Sequence, residues 1–343
     1  MRKGDGMLET QPVEQNNANL DELVSPVLAA MRRVLTVDFL TKQNSARIFH
    51  GRGRCYPLLS WCTIDAYSRF ILITLFQVPP KDWEDNLGSA LRGFFSQINS
   101  QVSEDKTLLS VLLQRRYIAN APVEPLLSTM PENAVAVRDD LHFKLSFSQQ
   151  NVGYFLDIEP ARVWLENLAK GKRILNLFAY TCAFSVVAKA AGAESIVNID
   201  MNRRSLATGQ DNHKLNNLPL DGVKFLPHDI FKSWGKLKKM GPYDIVIIDP
   251  PSFQKGSFIA TTDYQKIVRR MPDLVADGGC FLACLNAPEI LLSDFKAELD
   301  VLCEQGSKQF SCTEILPVHS DFPEAEEGRS LKMLVYKPIA SNP

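Results

Sequence analysis

The residues best suited to chemistry stand directly after short apolar runs in the C-terminal half of the chain. Asp249 closes one such run and is followed by Pro250, Pro251, Ser252 and Phe253. Two consecutive prolines fix φ and remove two backbone donors, so the loop is stiff and leaves the Asp249 carboxylate for a substrate. Phe253 offers a stacking face for a planar base. The pattern indicates a substrate-binding loop, with a purely structural Pro-Pro turn as the alternative.

A second candidate segment begins at Asn176, near the end of an earlier apolar run, and continues through Phe178, Ala179, Tyr180 and Thr181 into a helical pattern. A turn from strand to helix presents backbone N–H groups to a ligand. The dinucleotide fingerprint needs three glycines there, because the backbone must approach a pyrophosphate closely. This turn has none, which favours a cofactor without phosphate; an ordinary turn is the alternative.

Acidic residues follow the next two apolar runs. Asp200, 24 positions after Asn176 and followed by Met201, can accept hydrogen bonds from both hydroxyls of a ribose. It can also cap the helix that follows, and the two roles can coexist. Asp229 can accept a hydrogen bond from an adenine amino group while Ile230 covers the ring. A helix cap is an equally good interpretation of Asp229.

Alternating strands and helices must position these residues. From about Tyr154 onward, short apolar runs alternate with helical patterns, which predicts an α/β fold with a mostly parallel sheet. The last two runs have no helix between them, so we expect an antiparallel pair at one edge. The predicted strands are Arg173–Phe178, Ser195–Asp200, Val223–Leu226, Tyr243–Asp249, Gly279–Leu285, Cys312–Val318 and Leu331–Tyr336. The predicted helices are Ala183–Gly192, Arg203–Leu215, Phe231–Lys239, Asp263–Ala276 and Leu291–Glu304.

The preceding residues carry different signals. We predict that residues 1–44 form an extension with one helix, residues 45–150 a small α+β domain, and residues 151–343 the larger α/β domain. The elements predicted before residue 151 are the helix Asp21–Thr36, a hairpin of Trp61–Asp65 with Phe70–Phe76, the helix Asp82–Val102, the strand Leu108–Leu113, and a hairpin of Val135–Arg138 with His142–Phe147.

The charge balance argues against a broad nucleic-acid footprint. The 343 residues carry a net charge of −1, whereas proteins that hold nucleic acid over a large surface are basic. A local patch remains compatible with this balance. The segment Arg47–Tyr56 interleaves cations, aromatics and glycines, which suits either RNA phosphates and bases or a solvated turn. The lysines of 232–239 are more typical of the solvent face of a helix.

Cysteine usage and hydropathy indicate the compartment. The seven cysteines are odd in number and lack a C-x-x-C spacing, which predicts reduced thiols in a cytoplasmic protein without a metal site. The longest apolar runs are strand-sized, far below the ~20 residues that a membrane span needs, so we expect no membrane partner. The oligomeric state is left open.

Four segments, taken together, resemble the class I S-adenosylmethionine (SAM)-dependent methyltransferases, and more closely the bacterial enzymes that methylate 23S ribosomal RNA of the large subunit. The likeness covers about residues 135–340. The matching segments are Gly153–Asp157 with Arg162, Asn176–Ser185, Asp211–Leu218 and Asp249–Phe253. The resemblance implies a Rossmann-like seven-stranded methyltransferase domain, preceded by the smaller α+β domain, with SAM as cofactor and ribosomal RNA as partner.

The resemblance also implies roles for individual residues. Phe155 and Asp157 belong to the segment that caps the cofactor. Two positions depart from the family: Cys182 replaces a glycine and narrows the room for the methionine end of SAM, and Glu159 replaces an arginine that meets its carboxylate. The implied cofactor-binding residues are Phe155, Asp157, Asn176, Phe178, Ala179, Tyr180, Thr181, Asp200, Met201, Asp229, Ile230 and Asp249. The implied catalytic residues are Asp249, Pro250, Phe253 and Asn286.

The acceptor atom follows from the cysteines. Cytosine C5 is a poor nucleophile and needs a thiolate that first adds to C6. Family members of that type carry this cysteine after Pro-Pro or after the fifth strand, where this chain has Ser252 and Ala287; Cys284 is displaced by three residues. Guanine N7 has its own lone pair and needs only a clamp. Asn286 stands where guanine-N7 members have Asn, so we favour guanine N7 over cytosine C5.

Three other functions remain open. The balanced charge permits SAM-dependent methylation of a protein or a small molecule. An NAD oxidoreductase is disfavoured by the missing glycines at Ala179–Ala183. Cys182 and Glu159 leave room for a SAM-type fold that has lost catalysis and serves as an RNA-binding module.

Overall fold

The computed structural model describes residues 19–104, 108, 110–251, 253–254 and 258–339, with the backbone alone at 253–254 and 258–262. The chain divides into two compact units. The N-terminal unit comprises Met1–Asp140 and Leu145–Val152, and the C-terminal unit comprises Leu141–Lys144 and Gly153–Pro343. Within the described residues, no helix is both long and apolar enough to cross a membrane.

The N-terminal unit mixes helices with one sheet. Its elements are α1 (Leu20–Val34), α2 (Val37–Lys42), β1 (Ala46–His50), β2 (Cys62–Tyr67), β3 (Phe70–Leu75), α3 (Trp83–Asn99), β4 (Ser110–Arg115), β5 (Val123–Leu127) and β6 (Val135–Arg138). The sheet has the order β1-β2-β3-β4-β5. Neighbouring strands are antiparallel except β3 and β4, which run parallel on either side of the α3 crossover.

Helices α1 and α3 supply the core of this unit. Each presents an apolar stripe at helical spacing, with Val27 and Met31 on α1 and Trp83 and Leu87 on α3, all fully buried with Ile73 of the sheet. The predicted β2–β3 hairpin and both predicted helices are confirmed. The strands β1 and β5 and the short helix α2 were not predicted, because their apolar residues are too few to show a period.

The C-terminal unit holds the remaining elements. They are β7 (Leu141–Lys144), α4 (Glu159–Leu168), β8 (Arg173–Leu177), α5 (Ala183–Ala190), β9 (Ser195–Asp200), α6 (Arg203–Leu215), β10 (Val223–Pro227), α7 (Trp234–Met240), β11 (Tyr243–Ile248), β12 (Phe253–Gln254), β13 (Phe258–Ile259), α8 (Ala260–Val268), α9 (Met271–Leu274), β14 (Val275–Leu285), α10 (Leu292–Glu304), β15 (Phe310–Ile315) and β16 (Lys332–Pro338).

A seven-stranded sheet of order β10-β9-β8-β11-β14-β16-β15 organises this unit. The first five strands are parallel, and β16 runs antiparallel to both β14 and β15. The predicted Rossmann-like sheet and its antiparallel edge pair are therefore confirmed. Strand order reverses between β8 and β11, which is the switch point where such sheets bind ligands. We call the edge formed by the carboxyl ends of β8, β9, β11 and β14 the carboxyl edge.

One predicted helix is wrong. The segment Asp263–Ala276 divides into α8, which ends at Val268, and the single turn α9, and its last two residues begin β14. Pro272 explains the break, since it lacks the backbone N–H that would bond to the Val268 carbonyl and continue α8. The predicted strand Cys312–Val318 begins two residues earlier and ends at Ile315.

Candidate active site

The bend between β8 and α5 departs from ordinary backbone geometry. Phe178, Tyr180 and Cys182 have φ values of 56°, 45° and 61°, in the left-handed region that side chains disfavour. Hydrogen bonds hold the bend: Ala179 N donates to Ile199 O (3.1 Å), and Cys182 N donates to Ala179 O (2.7 Å). Strained backbone that its surroundings hold in place is concentrated at functional sites.

Thr181 anchors the same bend to two other segments. Its hydroxyl donates to the carbonyl of Gly153 (2.6 Å), and its own carbonyl accepts from Asn212 Nδ2 on α6 (3.0 Å). Thr181 is buried. Thr181, predicted as a cofactor residue, thus fixes the bend to Gly153 and α6. The neighbouring Ala179 is also buried.

Asp200, at the end of β9, holds the bend directly. Its Oδ2 accepts from Tyr180 N (2.9 Å) and its Oδ1 accepts from Asn202 N (2.7 Å). Burial raises the pKa of Asp200, and these two hydrogen bonds oppose the rise. The cap of α6 is Asn202, whose side chain accepts from Arg204 N and Ser205 N. Asp200 is therefore not needed as the helix cap.

Exposed apolar side chains flank this bend. The rings of Phe155 and Tyr180 lie 5.5 Å apart between centroids, and Phe155 and Met201 are 44% and 59% exposed. Large apolar groups left in solvent beside a polar bend are typical of a ligand surface. Burial, followed by the charge of Asp200, raises the pKa of Tyr180 to about 12, which keeps its phenol protonated.

Asn176 occupies a buried polar chain instead of this surface. Its Nδ2 donates to Asn198 Oδ1 (3.0 Å), Asn198 Nδ2 donates to Ser185 Oγ (2.9 Å), and Ser185 Oγ lies 3.1 Å from His213 Nε2. His213 Nδ1 lies 2.8 Å from the carbonyl of Gly209. A carbonyl only accepts, so Nδ1 carries the proton and Nε2 accepts from Ser185. Burial lowers the pKa of His213, consistent with a neutral ring.

Asp229 caps a short turn after β10. Its Oδ1 accepts from Phe231 N (2.9 Å), so the capping interpretation describes its observed contact. Ile230 is only 3% exposed and packs in the core. The expected contact of Ile230 with an adenine ring stays a prediction.

The ends of β11 and β14 bring together the predicted acceptor residues. Asn286, exposed just after β14, donates from Nδ2 to Asp157 Oδ2 (3.3 Å). Asp249, half-buried just after β11, has its pKa raised to about 7 by burial and then by the Asp157 carboxylate, while Arg162 opposes the rise. Asp157, expected to cap the cofactor, is thus one of two carboxylates in an acceptor cluster formed by Asp157, Arg162, Asp249 and Asn286.

Arg162 is the cation of this acceptor cluster. It is 1% exposed, its Nη1 donates to Glu159 Oε2 (2.8 Å), and its Nη2 donates to the Phe155 carbonyl. Its guanidinium stacks on the Tyr154 ring at 4.1 Å. Its Nε is buried without a hydrogen-bond partner among the described residues. Buried donors of this kind are rare in proteins, and functional sites account for many of them.

The Pro-Pro loop is described only in part. Pro250 is buried and Pro251 is exposed. Ser252 and the side chain of Phe253 lie outside the described residues, so the stacking role of Phe253 stays a prediction.

The whole arrangement can be set beside known proteins. A family model for S-adenosylmethionine-dependent methyltransferases matches residues 46–337. The chain belongs to this family. It is accordingly a SAM-dependent methyltransferase with the class I fold.

Individual relatives cover most of this methyltransferase. YwbD of Bacillus subtilis (strain 168) is 27% identical over 300 residues, which cover 84% of this chain and 73% of YwbD. Ribosomal RNA large subunit methyltransferase I of Aeromonas salmonicida (strain A449) is 27% identical over 288 residues, covering 80% of this chain and 70% of that protein. The crystal structure of SMU.776 complexed with SAH covers 96% of this chain and 83% of that chain, at 25% identity and a TM-score of 0.79.

The residues at the carboxyl edge of this methyltransferase fit SAM. The Asp200 carboxylate suits the two hydroxyls of a ribose, and the bend lacks the glycines that a pyrophosphate requires. Phe155 and Met201 provide exposed apolar surface beside it. When bound, SAM supplies an electrophilic methyl group on a sulfonium. The chain contributes binding, orientation and the exclusion of water.

The thiol of Cys182, predicted to narrow the room for the methionine end of SAM, points to α6, and its effect on SAM stays a prediction. A Cβ built on Gly209 of α6 would lie 2.5 Å from Cys182 Sγ, so the thiol packs against that helix, in a small cluster with Leu206. Gly209 supplies the space for the thiol. The second departure also has a contact, since Glu159 holds Arg162. The sequence alone predicted neither the contact of Cys182 with Gly209 nor the ion pair of Glu159 with Arg162.

Cys284 is fully buried within β14. Burial, then the carboxylates of Asp249 and Asp157, raises the pKa of its thiol well above the usual value. A thiol in this state is a poor nucleophile because the thiolate is the reactive form. Ala287 is also buried.

Two further residues that shape the carboxyl edge were missed. Tyr264 Oη donates to the Cys284 carbonyl (3.1 Å) and lies 3.4 Å from the Ile248 carbonyl, which ties the ends of β11 and β14 together. Lys332 is 2% exposed and donates to the Ala287 carbonyl (2.7 Å). The signal available in the sequence for Lys332 was a lysine at the start of the apolar run of β16. No group of three or more His, Cys, Asp or Glu side chains in the described ranges could hold a metal ion.

Proposed function

We propose that the methyltransferase modifies a base of large-subunit ribosomal RNA. Support comes from the relative in Aeromonas salmonicida, whose name gives that substrate. The acceptor cluster supports a nitrogen base as acceptor. Asp249, Asp157 and Asn286 together offer carboxylate and amide groups that match the polar edge of a purine or pyrimidine.

We propose guanine N7 as the acceptor atom, in preference to cytosine C5. C5 methylation needs a reactive cysteine. Cys284 is buried and the pKa of its thiol is raised. All seven cysteines are free thiols, and none of them belongs to the acceptor cluster. At N7, the lone pair forms the new N–CH3 bond as the S–CH3 bond breaks. No proton leaves, and the base acquires a positive charge.

Two neighbouring carboxylates suit that charge. The Asp157 carboxylate raises the cost of ionising Asp249 in the acceptor cluster, and a positive charge beside them lowers that cost. Groups aimed at charge that develops in the transition state supply large rate effects. This pair of carboxylates is the single observation that carries the choice of N7.

The remaining site residues receive roles within this proposal. Asp200 binds the ribose of SAM, and Phe155, Tyr180 and Met201 contact its apolar parts. Asn286, which its hydrogen bond to Asp157 holds in place, orients the acceptor base. Asn176, Thr181 and Asp229 hold the backbone around the cofactor by the contacts described above. Pro250 stiffens the loop that carries Asp249, and Phe253 stacks on the base.

Nucleoside mass spectrometry of ribosomal RNA tests this proposal. In a strain lacking the gene, we expect 7-methylguanosine in large-subunit RNA to fall by the equivalent of one site. The wild-type gene restores it, and an Asp249→Asn gene does not. Loss of 5-methylcytidine instead would overturn the choice of atom. Unchanged levels of every methylated nucleoside would overturn ribosomal RNA as the substrate.

A further inference from the structure

A cluster of arginines and one aromatic ring lies in the N-terminal unit, at the carboxyl ends of the parallel strands β3 and β4. Phe76 follows β3 and Arg116 follows β4, where Arg116 N donates to the Leu75 carbonyl (2.8 Å). Arg52 lies in the 3-10 turn Gly51–Gly53 that follows β1. Three separate segments thus deliver two cations and a ring to one place.

Both guanidinium groups lie over the same ring. The Cζ atoms of Arg52 and Arg116 are 4.2 Å and 5.2 Å from the centroid of Phe76. Arg52 is exposed, and Arg116 and Phe76 are half-buried. Burial lowers the pKa of Arg116, and the charge of Arg52 lowers it further. Two like charges therefore share a partly dehydrated position, where their repulsion is stronger than in water.

Neighbouring groups are neutralised in a way that Arg116 is not. Arg47 pairs with the carboxylate of Asp65. Burial, followed by Arg47 and Arg52, lowers the pKa of His50 to about 3, so this ring is neutral. Arg115, next to Arg116 in the chain, pairs with two glutamates. The Arg116 side chain contacts the Asn151 amide oxygen (3.4 Å), the Gln150 amide oxygen (2.7 Å from Nη2) and the ring of Phe76, and it has no carboxylate partner within the described ranges.

An anion is the ligand that such a site requires. Guanidinium groups form paired hydrogen bonds with phosphate oxygens, and aromatic rings and arginine side chains beside a backbone-binding groove contact the bases of single-stranded nucleic acid. The chain as a whole is nearly neutral, so cations concentrated at one point are unlike the general surface. Single-stranded RNA offers phosphate and base together.

We propose that Arg52, Phe76 and Arg116 form a binding site for the phosphate backbone of single-stranded RNA. The RNA class rests on the proposed function, which this inference deepens by assigning RNA contacts to the N-terminal unit. Only part of the segment Arg47–Tyr56 takes this role. Arg47 is held by Asp65, and the Tyr56 ring packs on Phe49 at 4.9 Å.

Fluorescence anisotropy with a short labelled single-stranded RNA, repeated over a series of KCl concentrations, tests the site. We expect Arg52→Gln and Arg116→Gln each to weaken binding about three- to tenfold and to reduce the slope of log K against log salt by about 1. Arg116→Lys, which keeps the charge but loses the planar fork, falls between wild type and Arg116→Gln. Phe76→Leu weakens binding without changing the slope.

Arg92→Gln is the control, because Arg92 is exposed on α3 and bonds only to Ser89 among the described residues. It removes the same charge and should leave affinity and slope unchanged. SAH affinity, measured by calorimetry on every variant, should also stay unchanged and shows that the protein is folded. The inference is overturned if Arg52→Gln and Arg116→Gln bind RNA as Arg92→Gln does, or if wild type binds no RNA. Neither result decides the nucleoside test of the proposed function. Likewise, the outcome of the nucleoside test does not decide whether Arg52 and Arg116 bind RNA.

Discussion

The two halves of the carboxyl edge treat their polar groups differently. At β8 and β9, both oxygens of Asp200 accept backbone hydrogen bonds, and the chain from Asn176 to His213 leaves no member without a partner. At β11 and β14, burial and the Asp157 carboxylate oppose the ionisation of Asp249, and Arg162 keeps a buried Nε without a partner in the described part of the chain. In the first half the polar side chains are bonded to one another and to the backbone, whereas in the second half a buried donor has no protein partner among the described residues.

This difference separates binding from chemistry. A satisfied site holds one geometry, which suits a cofactor that must be bound in the same pose in every cycle. An unsatisfied, partly dehydrated site stores electrostatic cost that a charged transition state releases. We infer that the β8–β9 half positions SAM and the β11–β14 half positions the acceptor.

The largest effect is expected at Asp249. Asp249→Asn keeps the size of the side chain and removes its charge from the acceptor cluster, so we expect kcat for methyl transfer to fall on the order of 100-fold or more. Asp244→Asn is the control, since Asp244 lies on the same strand but pairs with Arg173. Transfer of a tritiated methyl group from SAM to RNA measures both. Equal activity in Asp249→Asn and wild type would break the division.

The same variant is expected to gain stability. The folded pKa of Asp249, about 7, exceeds its ordinary value of 3.8, so the native state binds more protons than the unfolded state between these pH values. Its contribution to stability is therefore complete below pH 4 and is lost as pH rises through 7. At pH 8 we expect Asp249→Asn to raise the free energy of unfolding on the order of 2 kcal/mol. Urea denaturation at pH 4 and pH 8 checks this, and a loss at pH 8 would contradict it.

The sequence predicted more of the β8–β9 half than of the β11–β14 half. The strands β8 and β9 were predicted well, because they are apolar runs with sharp ends, while the ribose role of Asp200 stays a prediction. Among the acceptor residues, Asp249 was named from its place after a strand and Asn286 from the family resemblance. Their grouping with Asp157 was not predicted, since Asp157 and Asn286 are 129 positions apart and no periodicity records a contact of that kind.

Side chains that compensate one another were beyond the sequence for a similar reason. The sequence alone did not indicate that Gly209, on another helix, leaves the space that the Cys182 thiol occupies. Asn176 was predicted to bind the cofactor because it stands near a strand end. Its side chain bonds to Asn198 on the neighbouring strand β9. Tertiary contacts decided both, whereas the order of strands and helices followed from local patterns alone.

An intermediate effect is expected at Asp200. Asp200→Asn weakens the charge-assisted hydrogen bonds from Tyr180 N and Asn202 N and the proposed bonds to the ribose, each worth roughly 1.5–3 kcal/mol. We expect KM for SAM to rise about 10- to 100-fold while kcat at saturation changes little. Asp211→Asn, an exposed acid on α6 that pairs with Lys144, serves as the control. An unchanged KM in Asp200→Asn would contradict the role of β9.

A smaller effect is expected where α6 meets the bend. Gly209→Ala places a Cβ against Cys182 Sγ, and overpacking of this kind costs roughly 1–3 kcal/mol. Adding Cys182→Gly should recover most of that loss, because it removes the clashing thiol. Urea denaturation of the two single variants and the double variant gives the coupling energy. Additive losses in the double variant would show that the two residues do not compensate.

The smallest effect is expected for Cys182→Gly alone. The thiol packs on α6, so its removal should change SAM affinity less than about twofold, which is below roughly 0.4 kcal/mol. Equilibrium dialysis with labelled SAM measures it. A severalfold gain in affinity would mean that Cys182 does narrow the cofactor site.

Calorimetric titration of SAM into wild type, Asp200→Asn and Asp249→Asn, side by side at pH 8, tests the division most directly. The account predicts that Asp200→Asn loses SAM affinity by about tenfold or more, while Asp249→Asn binds SAM within about threefold of wild type although its methyl transfer is lost. Equal losses of SAM affinity in the two variants, or a loss confined to Asp249→Asn, would contradict it.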